Sequence, residues 1–442
     1  MTRVRGWGRH RWADCEVVSV ETPLEVARAV DRAGTIARGL GRSYGDLAQL
    51  SGGRVIGTPR LNRFLSFDES SGVLCCEAGV TLEQILHTFA PRGWFPQVTP
   101  GTKQVTVGGC IANDVHGKAH HHQGAFNRCV SSFRVLLASG EVVTTSRSEN
   151  TELFWGSFGG LGLLGVILEV TLSLRRIETT YFCQRSVRCA SLDALLDAME
   201  VNDPPYLVAN VDLTATGASL GRGLLTVGDH ACAAELPSSF QQEPLRVFGP
   251  PWLKVPGGMP ALALNPFTAA AINWVRDQRA LRADEVMHAE PFFYQLDAIA
   301  AWNRGYGPHG FAQYQFAIPR AAGRQRLRAL LEVIVSSGNQ PFLSVLKRLG
   351  PAEEGPLSFP LEGYTLAVDL PIRLGTEALT RRLDAMVIEA GGRVYLAKDS
   401  FLEASSLAAM YPRVDEWRAL KARFDPSNTF QSDLARRTGL VR

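Results

Sequence analysis

The residues best suited to chemistry form a glycine-rich segment near the N-terminus, A-R-G-L-G-R-S-Y-G-D, which spans Ala37–Asp46. Its glycines allow positive φ angles, and successive backbone N–H groups in such a turn form a concave site for anions. Its arginines add bidentate donors that suit phosphate. The spacing G-x-G-x-x-x-G differs from the dinucleotide fingerprint, and no helical pattern begins there. The segment predicts a phosphate-binding loop outside a Rossmann fold, with a glycine-rich surface turn as the alternative.

A second glycine-rich segment, P-G-T-K-Q-V-T-V-G-G-C-I-A-N-D-V-H-G-K-A-H-H-H, spans Pro100–His122. Its glycines again indicate a backbone that approaches a ligand closely, and its lysines and histidines supply hydrogen-bonding or positive groups. Four histidines within seven residues suggest a metal site. The paired cysteines or the H-E-x-x-H spacing that make zinc sites specific are absent. A cofactor or substrate contact, a solvated histidine run and a metal site all stay open at this point.

Polar residues at two places in the C-terminal half are further candidates. On a predicted strand, Gln313 and Gln315 lie on one face and Tyr314 on the other, because side chains alternate. Two amides on one face are able to bind sugar hydroxyls, and a solvated outer face is the alternative. Tyr395 and Lys398 follow a predicted helix, and a lysine beside a hydride-accepting ring stabilises the negative charge that develops there. A solvated lysine is the alternative.

Composition narrows the class of protein. A chain of 442 residues favours two domains. The balance of 46 basic and 43 acidic residues argues against a nucleic-acid partner. Eight scattered cysteines without C-x-x-C are typical of a reduced, cytoplasmic protein rather than of a disulfide framework. No secretory signal and no apolar run of eighteen residues is present, so only peripheral membrane contact is compatible with the sequence.

The elements that must position these residues change in character near residue 180. Before it, capping boxes at Thr22–Glu25 and Thr81–Gln84 begin short helices among short strands. Gly159–Gly165 predicts a turn before a buried strand, and the alternative is a glycine-rich entrance to a strand that packs against a flat ligand. After it, longer strands alternate with amphipathic helices, which predicts a sheet covered by helices on one face. Leu236–Pro260 is rich in proline and glycine and predicts a long loop. The pattern as a whole is α+β.

Both glycine-rich segments, together with G-F-A-Q-Y-Q-F, P-L-S-F-P, A-K-D-S and M-Y-P-R-V-D-E-W, resemble the vanillyl-alcohol-oxidase family of FAD enzymes. Within that family they are most similar to the oxidases of a polyprenylphosphoryl ribose, and the resemblance covers nearly the whole chain. It implies an α+β, two-domain FAD-binding fold with a helix-covered antiparallel-sheet substrate domain. The implied division is an FAD-binding part at 1–178, a substrate-binding domain at 179–392 and a C-terminal FAD-binding part at 393–442.

The resemblance also assigns residues by motif. The implied cofactor-binding residues are Ala37, Arg38, Gly39, Leu40, Gly41, Arg42, Ser43, Tyr44, Gly45, Asp46, Leu47, Gly101, Thr106, Val107, Gly108, Gly109, Asn113, Asp114, Val115, His116, Ile167 and Tyr395. The implied substrate-binding residues are Lys118, Tyr294, Gln313, Gln315, Lys347 and Lys398. Lys398 is the catalytic candidate for orienting the hydroxyl or stabilising the reduced flavin, and His116 is the candidate for supporting the cofactor. No metal ligand is implied.

The implied reaction oxidises a ribose 2′-hydroxyl to a ketone, with hydride passing to flavin N5 and a partner short-chain reductase completing an epimerisation. The first glycine loop has no histidine or cysteine, so non-covalent FAD is expected. Ala367 occupies a position where the mycobacterial members carry cysteine. Phe248–Val255, F-G-P-P-W-L-K-V, is a candidate for membrane contact. The competing interpretations are oxidation of another sugar, alditol or aldonolactone, a flavin-binding interaction protein, and a metal-dependent hydrolase that uses the histidine run.

Overall fold

The computed structural model describes residues 1–31, 34–201, 203–257, 285–339, 341 and 343–441. Two sheets are built from the part of the chain before Ile177. The first contains β1 (Thr2–Arg5), β2 (Trp12–Ser19), β3 (Thr35–Arg38) and β4 (Arg54–Gly57), in the order β1-β2-β4-β3. The second contains β5 (Phe64–Asp68), β6 (Val73–Glu77), β7 (Trp94–Pro96), β8 (Val130–Leu136), β9 (Val142–Ser146) and β10 (Val166–Arg176).

A third sheet, entirely antiparallel, follows in the chain. The strands of this later part are β11 (Tyr181–Cys189), β12 (Tyr206–Val211), β13 (Gly223–His230), β14 (Leu253–Lys254), β15 (Glu285–His288), β16 (Ile299–Ala300), β17 (Phe311–Pro319), β18 (Ser344–Leu349), β19 (Gly363–Pro371) and β20 (Arg393–Val394). The sheet order is β15-β11-β13-β12-β18-β19-β17-β20. Strands β14 and β16 form a separate parallel ribbon.

Short helices dominate the N-terminal part, and longer ones accompany the third sheet. The helices are α1 (Pro23–Ala29), α2 (Leu82–Phe89), α3 (Val107–Ala112), α4 (His120–Gln123), α5 (Thr151–Ser157), α6 (Leu192–Val201), α7 (Ala289–Phe293), α8 (Gly323–Ser336), α9 (Thr376–Glu389), α10 (Ala404–Met410), α11 (Val414–Phe424) and α12 (Asp433–Arg437). The capping box predicted before α2 is confirmed, because Gln84 N donates to Thr81 Oγ1 over 3.1 Å and Gln84 Oε1 accepts from Thr81 N over 2.9 Å.

Helices α6, α8 and α9 cover one face of the third sheet. Their apolar residues recur at spacings of three and four, as Leu327, Leu330, Leu331 and Ile334 do in α8, and these side chains are buried. Tyr314 of β17 points to this side, where its hydroxyl donates to Asp384 of α9 over 2.7 Å. The predicted fold, an antiparallel sheet with helices on one face, is confirmed. The opposite face of the sheet is left to line a cavity.

The C-terminal segment returns to the first sheet. Thr35 N donates to Thr429 O over 2.8 Å, and Gln431 N donates to Thr35 O over 2.9 Å. Arg437 forms an ion pair with the buried carboxylate of Asp46 at 2.8 Å. Both ends of the chain therefore support the glycine-rich loop that follows β3.

The proline-rich stretch predicted as a long loop, Leu236–Pro260, is described as far as Gly257, and its last three residues lie outside the described residues. Phe248 is buried against Phe95 and Tyr294, whereas Trp252 and Leu253 are 77% and 48% exposed. Within the described ranges, no helix has the length and apolar character needed to cross a bilayer.

Candidate active site

A cavity of about 490 Å³ lies between the first two sheets and the open face of the third. Its walls are the glycine-rich loop after β3, the segment from Pro100 to Lys118, the turn before β10 and strands β12, β17, β18 and β19. The predicted site residues that line it are Ala37, Gly39, Leu40, Gly41, Arg42, Ser43, Tyr44, Leu47, Gly101, Thr106, Gly108, Gly109, Asn113, Val115, His116, Lys118, Ile167, Gln313, Gln315, Lys347, Tyr395 and Lys398. The volume is typical of a small-molecule site.

Other predicted site residues lie behind the wall. They are Arg38, Gly45, Asp46, Val107, Asp114 and Tyr294. The Arg38 guanidinium donates to Ala48 O over 2.8 Å and to Arg5 O over 2.7 Å, so it braces the glycine-rich loop from the back. Asp46 is engaged by Arg437. These side chains hold the shape of the loop and do not face the cavity.

Asp114 and Tyr294 occupy similar bracing positions. The Asp114 carboxylate accepts hydrogen bonds from the Asn127 side chain at 3.0 Å and from the Ser358 hydroxyl. Burial raises its pKa to about 7, although these hydrogen bonds oppose the shift. Tyr294 OH lies 2.8 Å from Thr99 Oγ1 inside an aromatic cluster. Both residues support the segments that carry wall residues.

The most polar part of the wall is a chain of hydrogen bonds that ends at Lys398. Register pairs Gln313 of β17 with Asp369 of β19, and Gln313 Nε2 donates to Asp369 Oδ1 over 2.5 Å. Tyr306 OH donates to the other carboxylate oxygen over 2.8 Å. Lys398 Nζ donates to Gln313 Oε1 and lies 4.0 Å from the centre of the Tyr44 ring. Burial lowers the pKa of Lys398, and the negative charge of Asp369 opposes this shift.

A second polar group on the same sheet face fixes the orientation of His116. The Thr365 hydroxyl donates to Phe316 O over 2.8 Å, so its oxygen must accept from Gln315 Nε2, 3.1 Å away. The same amide nitrogen lies 3.0 Å from His116 Nε2, which is therefore the acceptor. The ring proton consequently sits on Nδ1, an atom with no hydrogen-bond partner in the described part of the chain. Burial, reinforced by the positive charge of Lys347, lowers the pKa of His116 well below its ordinary value, so the ring is neutral.

Two further lysines line the cavity. Lys118 Nζ donates to Phe292 O and lies 4.3 Å from the centre of the Phe292 ring. Lys347 is on β18, where register places it opposite Thr365. Burial lowers the pKa of Lys347 to about 8, and burial together with the charge of Lys347 lowers the pKa of Lys118 to about 7. The cavity is thus lined by amines whose positive charge is costly to keep.

The histidine run divides into separate environments. His116 faces the cavity, whereas His120 accepts from Gly350 N over 3.0 Å and lies 3.6 Å from the buried carboxylate of Glu353. His121 Nε2 lies 2.8 Å from Pro204 O. The ring of His122 is half exposed. The first histidine is therefore the one that the fold directs to the cavity.

Some wall residues were not among the site residues assigned from the sequence. They include Leu161, Gly162, Gly165, Asn210, Asp297, Trp302 and Ala367. The G-G-L-G-L-L-G run contained a usable signal, since Gly162 has a positive φ of 75° and a bare backbone toward the cavity. Asp369 gave no local signal, because its partner Gln313 is 56 residues away in the chain and meets it only through strand register.

Comparisons with known proteins identify the family. A family model described as an FAD binding domain matches residues 16–146, and one described as D-arabinono-1,4-lactone oxidase matches residues 308–438. Decaprenylphosphoryl-β-D-ribose oxidase of Mycolicibacterium smegmatis is 41% identical over 99% of this chain and 98% of its own length. The chain belongs to the decaprenylphosphoryl-β-D-ribose oxidase family. L-gulono-1,4-lactone dehydrogenase of Mycobacterium tuberculosis is more distant, 24% identical over 93% of this chain and 92% of its own length.

Membership in this family makes the protein an FAD-dependent oxidoreductase that acts on a sugar-type substrate, as predicted. The cavity fits FAD on physical grounds. A Cβ atom added to Gly101 or Gly162 would meet no atom within 4 Å, so bare backbone faces the open space. Two buried polar atoms on the wall, Asn113 Oδ1 and His116 Nδ1, have no partner in the described part of the chain. A flat ring with donors and acceptors on its edge would satisfy both atoms.

Proposed function

We propose that this protein oxidises the 2′-hydroxyl of a polyprenylphosphoryl-β-D-ribose to the 2′-ketone, as the first half of an epimerisation. The relative with 41% identity supports the substrate class by its name, decaprenylphosphoryl-β-D-ribose oxidase. The observation that carries the proposal is the Lys398–Gln313–Asp369 chain of hydrogen bonds, which ends in an ammonium group on the cavity wall. Amide and ammonium groups on one wall are suited to bind and orient a sugar hydroxyl.

The contacts of the cavity residues indicate which of them would bind the cofactor and which would orient the substrate. The loop from Gly39 to Leu47 would hold the pyrophosphate of FAD, and Gly101, Asn113 and His116 would hold its ring. Bound FAD would supply the oxidising power by accepting the hydride from carbon, and the hydroxyl proton would pass to solvent. His116 Nδ1–H would be the atom available to the cofactor, because Nε2 is occupied by Gln315. Lys398 orients the hydroxyl through Nζ and stabilises negative charge that develops in the transition state.

The decisive test is an anaerobic titration of the FAD-loaded protein with a short-chain prenylphosphoryl-β-D-ribose. Loss of the absorption band near roughly 450 nm, typical of oxidised flavin, would support the reaction. Mass spectrometry should then detect a product two hydrogens lighter than the substrate. Lys398→Met should slow the bleaching by about a hundredfold or more, the magnitude typical of a lost charge-stabilising group. A spectrum that does not change with this substrate would overturn the proposed substrate class.

A second candidate, oxidation of an aldonolactone, is favoured by one observation. The D-arabinono-1,4-lactone oxidase family model matches residues 308–438, which include Gln313, Gln315 and Lys398. The discriminating assay compares kcat/KM for L-gulono-1,4-lactone and for the prenylphosphoryl ribose, with oxygen and with an artificial electron acceptor. A higher value for the lactone, with accumulation of peroxide, would favour this candidate.

The partners are also proposals. The ketone product keeps the carbon skeleton of its substrate, so a short-chain reductase that uses a nicotinamide cofactor would complete the epimerisation. Peripheral membrane contact is supported by exposed Trp252 and Leu253, next to Pro251 on the cavity wall, because tryptophan is favoured at bilayer interfaces. Vesicle flotation checks it: wild type should float with anionic vesicles, and the double variant Trp252→Ser, Leu253→Ser should remain at the bottom. Equal flotation of both proteins would refute this surface.

The domain division predicted from the sequence stays a proposal as well. We infer an FAD-binding domain from residues 1–178 and 393–442 and a substrate-binding domain from 179–392. The third sheet begins at Tyr181, and the C-terminal segment hydrogen-bonds to the first sheet, both of which support this division. Limited proteolysis should cut first in the connections near residues 178 and 392. First cuts within the glycine-rich loop would contradict it.

A further inference from the structure

Two cavity-lining lysines approach the same strand from different elements. Leu207 N of β12 donates to Lys118 O over 3.0 Å, which holds the backbone of Lys118 against that strand. Leu346 of β18 lies opposite Ala209 of β12, so Lys347 is the next residue along β18. Both side chains line the cavity. The backbones of both residues therefore adjoin the stretch of β12 that carries Val208 and Asn210.

These two lysines, which are partly exposed to the cavity, differ in their partners from the other lysines of the interior. Among the lysines of the sequence, Lys254 is exposed at the surface. Lys103 pairs with Glu290, and Lys421 pairs with Asp425. Lys398 reaches the carboxylate of Asp369 through Gln313. In the described ranges, neither Lys118 nor Lys347 has a carboxylate within 4 Å of its ammonium group, although both line the cavity.

A buried ammonium group without a counter-charge is costly, because low-dielectric surroundings disfavour the charged form. Two such groups on the wall of one cavity also repel each other, and the positive charge of Lys347 does lower the pKa of Lys118. An anion that binds between them would remove both costs at once. A phosphodiester carries one permanent negative charge and two free oxygens, so it can accept a hydrogen bond from each amine.

We propose that Lys118 and Lys347 form the binding site for the phosphodiester group of the substrate, separate from the sugar-oxidising end of the cavity at Lys398. The inference rests on the proposed function, whose substrate carries that group next to the sugar. The glycine-rich loop after β3 is a different anion site on a different wall, so the two sites do not compete for the same phosphate. Lys118 and Lys347 are thus specificity residues that select an anionic lipid-linked sugar.

The test compares two substrates that differ only in the phosphate. Farnesylphosphoryl-β-D-ribose is the anionic probe, and farnesyl β-D-riboside is its neutral counterpart. Lys118→Met and Lys347→Met should each raise KM for the anionic probe by about tenfold to a hundredfold, the usual range for a lost charge-assisted hydrogen bond. The preference for the anionic probe over the neutral one should fall by the same factor. Lys347→Arg, which keeps the charge, should retain most of the preference.

Arg326→Met is the matched control, because it removes one positive charge from the exposed face of α8, where Arg326 pairs with Glu389 at 3.4 Å. It should leave the preference for the anionic probe as in wild type. An equal rise in KM for both probes in the lysine variants, or an unchanged KM for the anionic probe, would overturn the phosphate site. Neither result would contradict the proposed oxidation.

A separate binding measurement tests the phosphate site if wild type oxidises neither probe, an outcome that would refute the proposed function. Isothermal titration calorimetry with farnesyl phosphate and then with inorganic phosphate would be carried out on FAD-loaded wild type and on the double variant Lys118→Met, Lys347→Met. Binding at least tenfold tighter in wild type supports the site. Equal affinities overturn it. If the double variant binds farnesyl phosphate more weakly than wild type does, but binds inorganic phosphate equally well, the site is assigned to the lipid-linked phosphate group.

Discussion

Removing the charge of Asp369 should move the pH dependence of catalysis. The carboxylate of Asp369 is fully buried and reaches Lys398 through Gln313, with 2.5 Å between Gln313 Nε2 and Asp369 Oδ1. Burial lowers the pKa of Lys398, and Asp369 is the group that raises it. Asp369→Asn keeps the shape and an acceptor oxygen for Gln313, and removes the negative charge. Lys398 should then lose its proton at a lower pH.

The size of the shift follows from Coulomb's law. Across one amide group the two charges are roughly 6 Å apart, and at an effective dielectric constant of about 20 their attraction is about 3 kcal/mol, or about two pKa units. If the ammonium form of Lys398 is active, kcat falls as pH rises through its pKa. The alkaline limb of the kcat profile should therefore move down by one to two pH units in Asp369→Asn, again on the scale of that attraction.

The assay is kcat under substrate saturation from pH 5 to pH 10. Burial raises the pKa of Asp369, so its charge is lost toward the acidic end, where the two enzymes should converge. Tyr306→Phe is the matched control, since it removes a 2.8 Å hydrogen bond to the same carboxylate and leaves the charge. An alkaline limb that stays in place or moves up in Asp369→Asn would refute the role assigned to this chain of contacts.

Other predictions test the cavity, the buried charges and the cofactor bond. Gly101→Ala should leave the Tm of the FAD-free protein unchanged, because its Cβ would meet no atom within 4 Å, and should weaken FAD binding by about tenfold or more. Gly45→Ala should instead lower the Tm, because its Cβ would lie 2.0 Å from Asp399 O. Differential scanning fluorimetry measures the Tm of each variant, and FAD titration measures its affinity for the cofactor. An equal loss of Tm in both variants would contradict the placement of Gly101 on the open cavity wall. Burial raises the pKa of Asp384 from 3.8 to about 7. The folded protein therefore loses stability as pH rises from 4 to 7, because the buried carboxyl group must give up its proton. The loss amounts to up to about 4 kcal/mol of unfolding free energy. Asp384→Asn should therefore gain stability over wild type between pH 5 and pH 8; a constant Tm difference would count against this. Acid precipitation should release all the flavin into solution, and yellow precipitated protein would show a covalent bond.

Local patterns made part of this site predictable. The alternation of a strand was enough to put Gln313 and Gln315 on one face, and the structure has Tyr314 on the other, bonded to Asp384. The capping residues Thr81 and Gln84 marked the start of a helix because their side chains satisfy backbone N–H groups a few residues away. Each of these signals depends on atoms close together in the chain.

Contacts between distant segments could not be predicted in this way. The histidine run has no internal feature that turns His116 to the cavity and His120 to Glu353, because packing against the third sheet decides the direction of each ring. Arg38 and Asp46 belong to the predicted phosphate loop, yet both side chains point away from the cavity. Arg38 donates a hydrogen bond to Ala48 O, and Asp46 forms an ion pair with Arg437. The type and sequence spacing of residues show that they are able to bind a phosphate. The three-dimensional course of the backbone decides whether their side chains point toward the binding site.

The sequence by itself therefore determined the family, the cofactor, the sheet with its helical cover and the glycine-rich segments that form the cavity wall. Only the tertiary structure decided which charges are paired. Asp369 meets Gln313, and through it Lys398, by strand register, whereas Lys118 and Lys347 line the same cavity without a carboxylate partner among the described residues. The physical reason is that pairing and burial depend on distances between segments, and burial sets the cost of each charge. These two amines, which have no carboxylate partner among the described residues, are the feature that a ligand with a negative charge would complete.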